Sequence, residues 1–461
     1  MARIARIVIT IVGFALIAAA CSVSTEDDPT KTPIVSPTEI PVTSVDEQQG
    51  TASQSAESTD SDTTTPSPTP PPESSTAATA SPTPAQSIPE STSSAPLDST
   101  MFGPIECRDG EDDVKLSHLI YDPEFFDDLV PMGRAWDSHV TPTDHLYVFI
   151  YEERERKMVR TPAAGRIIHI ESFPRTQSPF WDSSVEDPDL RVIIAHSCTL
   201  FSIFIHVGEL APKVAAVVGD LGLGARWHAE SGETLELAAG DPIAILGGSS
   251  FDYSLHDETK SLAGFQIPEH YEGEAWKIHT VDPFDYMTDD VFSALLAKNV
   301  RQVEPYGGKI DYDVVGTLAG NWFMDGTVDY GGGGIERARY WNGHMSIHYD
   351  FIDPSKIRIS IGRDIGLAKD DCRICGSVYA VKNNSPDPAT ITVDDGIVKY
   401  ELTGRERADQ DNRERTVSDG VVLGTFLAEV IDDETIRTEF FPKMSSDSVT
   451  EFSDDSVLYR R

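Results

Sequence analysis

Positive charge is scarce in this chain. Against 76 aspartates and glutamates it carries 37 lysines and arginines, a formal net charge of −39 at pH 7. Such a surface repels phosphodiesters and anionic headgroups, which excludes nucleic acid as a partner. It suits a cationic ligand, divalent cations or a saline medium, and equally the plain solvated surface of a secreted protein. Past the N-terminus no run reaches the ~20 apolar residues that span a bilayer. There is no Gly-x-Ser-x-Gly elbow and no serine or cysteine nucleophile with a recognisable base. The glutamates are too scattered to single out a glycosidase pair. Cysteine is sparse as well. Cys372 and Cys375 form one C-x-x-C without a second, which excludes a four-cysteine zinc knuckle. No βαβ pattern surrounds them, which argues against a thioredoxin-like role.

The first 21 residues, MARIARIVITIVGFALIAAAC, have two arginines, an apolar run from Ile7 to Ile17 and three alanines before Cys21. A basic start, short apolar core and small-residue exit mark a secretory signal. Small residues before cysteine resemble a bacterial lipobox, in which Cys21 is lipidated and becomes the mature N-terminus. A plain cleaved signal and a short membrane anchor are the alternatives, and all three place the remainder outside the cytoplasm. Residues 22–100 are rich in Ser, Thr, Pro and Ala, with too few large apolar side chains to offset the entropy of ordering. They are expected to form an extended, disordered stalk that holds a folded part away from the membrane. In that compartment the four cysteines beyond Cys21 suggest disulfides. A local Cys372–Cys375 bridge is preferred, with Cys107–Cys198 as the remaining pairing.

The folded part, which carries −30 of the charge, has a β texture. HLYVFIYE, GRIIHIESF, LRVIIAHSC, LFSIFIHVG and DPIAILGG are short runs of Val, Ile, Phe and Tyr bounded by turn residues. They define a domain over 101–286. A helix is expected from Asp289 to Lys298, opened by acids and closed by lysine, within a hinge over 287–300. Residues 301–461 then repeat the β texture in KIRISIG, VVLGTFLAEVID and TIRTEFFP among others, with turn spacing that suggests an antiparallel sandwich or barrel. The glycine run Asp329–Gly334 lacks the strand-to-helix setting and the lysine of a phosphate cradle.

Chemistry is concentrated in SHVTPTDHLY, where His139 and His145 bracket Asp144. Further along come VRTPAAGRIIHI, then RVIIAHSCTLFSIFIHVGELA with His196 and His206, and finally GETLELAAGDPIAILGGSSFDYSLHDE. These four stretches, spanning His139 to about His256, resemble in order the lysostaphin-type zinc endopeptidases that cut peptidoglycan cross-bridges. The resemblance implies a β-sheet domain of the duplicated hybrid motif type. It also implies zinc ligands at His139 and Asp144 and a catalytic histidine at His206. The last motif should supply His-x-His, but Phe251-Asp252-Tyr253 stands there, so that Tyr253 takes the third ligand position. The first motif also departs from the family, with five residues from His139 to Asp144 rather than four.

Catalytic zinc needs three protein ligands and an open water position, and this set falls short. Asp144 could instead cap its own TPTD turn, while His145, next in line, should point away from it. His256 should face the side of the sheet opposite Tyr253. His196 reads as a strand-end histidine satisfied by hydrogen bonds. His344, His348 and Asp350 share one face of a strand, which leaves a surface cation site open. The expectation is therefore a mainly β, surface-tethered lipoprotein whose peptidase-like domain binds cell-wall or other extracellular ligands without catalysis or cofactor. The alternative is a divergent zinc endopeptidase that uses His139, Asp144 and His206.

Overall fold

The computed structural model describes residues 97–99, 102–105, 113–136, 139–151, 155–173, 188–229, 235–327, 330, 340–363, 378–406 and 417–461. The expected signal, nearly all of the expected stalk, and Cys21, Cys107, Cys372 and Cys375 lie outside them. Cys198 is disulfide-bonded, and its partner is therefore also outside them. The chain is mainly β, with an antiparallel sheet followed by a closed eight-stranded barrel.

The principal strands of the sheet are β1 (Leu146–Phe149), β2 (Gly165–Phe173), β3 (Asp189–Ala195), β4 (Leu200–Leu210), β5 (Arg226–His228) and β6 (Ser250–Asp257). Their spatial order is β2-β3-β4-β6-β1, with Leu235–Leu237 and β5 both paired to β2 and Asp128–Val130 at the far edge. GRIIHIESF becomes a strand over its whole length, since branched side chains fit a pleated surface and glycine starts it beside a turn. Gly165 is required there: a β-carbon would lie 2.7 Å from the Ala195 carbonyl oxygen.

One face of the sheet packs Ile167, Ile170, Val192, Ile194, Phe204, Phe251 and Tyr253 into the main core. The opposite face is also apolar at its centre, with Ile168, Ile193, Ala195, Phe201 and Ile203. This second face is covered by the chain itself. Trp276, in the 3₁₀ segment Pro268–His279, packs on it. Phe102, in the turn between Leu97–Ser99 and Gly103–Ile105, stacks on Phe201 with ring centroids 4.9 Å apart. The end assigned to the stalk is thus paired strand at Leu97–Ser99. Two-sided burial explains why β2 and β3 read as nearly unbroken apolar runs rather than alternating ones.

Strand β4 contains a bulge. Leu190 and Val192 on β3 pair with Val207 and Phe204, so β4 carries an extra residue there, and His206 has φ +66°. Bulges re-aim a side chain and sharpen strand twist. Here the bulge lets Phe204 and Val207 both reach the core while His206 turns outward, half-buried.

The helix α1 spans Pro212–Val218 and α2 spans Asp289–Leu296. The link after α2 is packed into both units. Arg301 is 1% exposed and donates from Nη1 to the Phe351 carbonyl of the barrel and from Nε to the Val303 and Pro305 carbonyls. Gly308, at φ +96°, lies so close to Met132 that a β-carbon would sit 2.2 Å from its carbonyl oxygen.

The barrel strands are β7 (Gly320–Met324), β8 (His344–Tyr349), β9 (Ile357–Ile361), β10 (Val378–Val381), β11 (Val398–Glu406), β12 (Val417–Asp432), β13 (Thr435–Pro442) and β14 (Val457–Arg460). Each pairs with the next, and β14 returns to β7. Trp322, Met345, Ile347, Ile359, Tyr400, Leu402, Phe426, Ile436 and Tyr459 share the core of this barrel, as expected where eight strands leave an interior about wide enough for side chains to fill. The outward residues of β7 and β8 meet the sheet unit. Phe323 joins its core, and Asn321 Nδ2 donates to the Tyr271 hydroxyl at 3.1 Å.

His344, His348 and Asp350 are buried at this junction, at 2%, 1% and 1% exposure, so they form no surface cation site. His344 stacks with Tyr330, and Asp350 accepts from Arg358 Nε at 2.9 Å. Glycine is also required within the stretch GTLAGNWF, Gly316 to Phe323. Gly320 has φ +140°, and a β-carbon on it would lie 2.3 Å from Asp313 Oδ1.

Candidate functional site

Five side chains from four parts of the sheet unit alternate acid and imidazole in a row. His206 donates from Nδ1 to Asp189 Oδ1 at 3.0 Å, and its Nε2 stands 3.6 Å from Asp252 Oδ2. The same Asp252 oxygen is 3.3 Å from Nε2 of His145, whose Nδ1 donates to Asp144 Oδ1 at 3.0 Å. At the far end Asp144 Oδ2 accepts from the Trp276 indole N–H at 3.0 Å, and the Lys277 ammonium lies 3.9 Å from Oδ1. Lys277 is 2% exposed and also sits 4.9 Å from the Tyr330 ring centroid.

Strand alternation puts Asp252 in this row. On β6 the side chains of Phe251 and Tyr253 enter the core, whereas Asp252, Ser254 and His256 share the other face. Tyr253 therefore does not occupy the third ligand corner. Its hydroxyl lies 3.2 Å from Ser202 Oγ in a hydrogen bond within the core, and burial raises its pKa well above the usual range. His256 faces away from Tyr253, as expected. Its Nδ1–H donates to the Trp276 carbonyl at 3.0 Å and its Nε2 accepts from the Ser254 hydroxyl at 2.8 Å. His196 is likewise satisfied, by the Ala164 carbonyl at 2.9 Å and by Ser202 at 2.7 Å.

Two further expectations are overturned. His145 does not point away from Asp144, because the residue lies in the turn before β1, where alternation has not begun. Asp144 does not cap its own turn; its oxygens face His145, Trp276 and Lys277 instead. Burial alone would raise the Asp144 carboxyl, but Lys277 and His145 outweigh it and hold it well below the usual range. Burial would lower His145, yet Asp252 and Asp144 raise it. The row thus alternates Asp189, Asp252 and Asp144 with His206, His145 and Lys277, so that each carboxylate has an imidazole or ammonium beside it.

His139 stays close, its ring edge-on to His145 at 5.5 Å between centroids. Burial, with His145 and Lys277 nearby, drives it down to about 3, so it is neutral. Its ring, the Asp144 carboxylate and a third donor do not converge. Both nitrogens of His256 are engaged, and among the described residues no three His, Cys, Asp or Glu side chains form a group that could hold a metal ion. This donor set as arranged does not fit a zinc ion. A buried ammonium faces the carboxylate where a cation would be wanted.

Linkage makes the site sensitive to pH. Burial would lower His206, but Asp252 and Asp189 raise it from 6.5 to about 9. Its contribution to stability is fully present below pH 6.5 and is lost as pH rises through about 9. His196 and His256, lowered by burial from 6.5 to about 4, contribute stability present above pH 6.5 and lost as pH falls toward 4. Urea unfolding across pH 4–10 is expected to show maximal stability between these limbs. His206→Gln should flatten the alkaline limb alone; an unchanged limb would exclude His206 as its source.

Lys277, Trp276 and Asp189 carried no motif in the sequence. A lysine flanked by Trp and Ile in an otherwise acidic stretch was the one hint of a buried cation. Compared with known proteins, the chain matches no family model and no curated sequence.

Proposed function

We propose that the sheet unit is a non-catalytic binding domain with peptidase-like organisation. It would be carried on a stalk outside the cytoplasm and tethered through lipid at Cys21, with a cell-wall peptide or another extracellular ligand as its target. The observation that carries this reading is the engagement of Asp144: an indole N–H, an imidazole and a buried ammonium satisfy the carboxylate that a hydrolytic zinc would need. Ligand contact is assigned to the half-open end of the row, where the His206 side chain is 32% exposed and Asp189 14%. An imidazolium set between two carboxylates can donate to a carbonyl or carboxylate of a bound peptide.

The test uses the purified chain with isolated peptidoglycan. Co-sedimentation without release of soluble fragments, with or without added zinc, is expected, and His206→Gln should weaken it. Zinc-dependent release of fragments, abolished by Asp144→Asn, would establish the endopeptidase in its place.

A further inference from the structure

A second group of titratable side chains lies on β2 and β5, apart from the Asp144 row. His169 and His228 are direct cross-strand partners, with their Nδ1 atoms 3.1 Å apart and their ring centroids only 4.3 Å apart. A linear hydrogen bond between two imidazoles would hold the centroids farther apart. The contact between them is therefore bent, with the ring planes tilted 50° apart. Two imidazole nitrogens bound to one metal ion at about 2.0–2.1 Å, with an angle between square and tetrahedral, stand roughly 2.8–3.4 Å apart. The observed separation falls in that range.

We infer that His169 and His228 form a clamp for a borderline divalent cation such as zinc, nickel or copper. Imidazole pairs favour these ions over calcium and magnesium, which take oxygen ligands. His169 is buried and His228 exposed, so the site has one fixed ligand and one that solvent and metal can reach. The Glu171 carboxylate lies 3.9 Å from His169 Nε2, favouring the proton there and leaving the Nδ1 lone pair for metal. Glu171 is itself held by Arg191 and by Arg226, the latter at 2.8 Å from Nε, so it serves as an outer partner rather than a ligand. Two protein ligands leave the remaining coordination positions to water.

The experiment is calorimetric titration of the whole chain, freed of any metal-binding tag, with zinc, nickel and calcium chlorides in turn. One equivalent of zinc or nickel and none of calcium is expected. His228→Ala, at an exposed position that leaves the fold intact, should abolish the event, and His169→Gln should do the same. His139→Ala should leave it unchanged, which separates this site from any metal at Asp144. Absence of zinc and nickel binding, or binding that survives His228→Ala, would overturn the clamp.

Discussion

Lys277→Met lowers the unfolding free energy of the sheet unit by about 3 kcal/mol, since removing the ammonium of a buried pair leaves the Asp144 carboxylate with only His145 and the Trp276 N–H beside it. Asp144 is 7% exposed and Lys277 2%, so solvent cannot replace the ammonium. Methionine keeps most of the volume, which makes the loss electrostatic rather than a cavity effect. Adding Asp144→Asn should recover much of it, as the neutral amide no longer needs a cation and the coupling appears as non-additivity. Urea unfolding of both variants provides the measurement. A double variant no more stable than Lys277→Met would show that Lys277 acts through packing, and would remove the argument that it stands where a metal's charge would be.

The second large effect belongs to the barrel. Arg461 is 3% exposed; its guanidinium lies 4.3 Å from the Trp322 ring centroid and donates to the Thr317 carbonyl at 2.9 Å and the Ala319 carbonyl at 3.2 Å. Nη1 stands 3.6 Å from Asp313 Oδ1. Burial raises the Asp313 carboxyl, and Arg461 offsets part of that rise. Arg461→Met should cost about 3–5 kcal/mol, the range for a broken buried pair. Two carbonyls lose a donor and Trp322 loses its cation at the same time. Arg461→Lys should fall between, because lysine keeps the charge but cannot reach two carbonyls as a planar fork. Urea denaturation of both variants beside the unaltered chain would read this directly. Equal stability of the methionine variant would mean that the apolar interior alone closes the barrel.

Local features of this kind explain what could be read from the chain and what could not. TIRTEFFP is a strand from Thr435 to Pro442, and GRIIHIESF is a strand throughout. In both, branched and aromatic residues between turn formers settle the conformation within a few residues. The helix begins at Asp289, as its acids suggested, and ends at Leu296. By contrast GKIDYDVVGTLAGNWF yields a strand only from Gly320, and ATITVDDGIVKYEL only from Val398. In these stretches short 3₁₀ turns and irregular backbone are held by distant partners, among them the Asp313 side chain on the backbone N–H groups of Gln266 and Asn321.

The candidate site divides in the same way. Asp144 and His145 stand out in the sequence as members of one His/Asp cluster, and His206 through its apolar strand and the family resemblance. Which partners they take is a matter of distance in space. Trp276 reaches Asp144 across 132 positions of sequence, and no periodicity or spacing rule extends that far. A one-residue difference in register would have placed Tyr253 in the row and Asp252 in the core. The amino-acid order dictates a β protein with an excess of acidic residues and a Ser/Thr/Pro-rich N-terminal sequence, since propensity, alternation and composition act locally. The folded chain decides that Asp144 meets an ammonium, that His206 is turned outward by a bulge, and that two histidines stand side by side on β2 and β5. Charge pairing and coordination depend on separations of a few ångströms, which only packing sets.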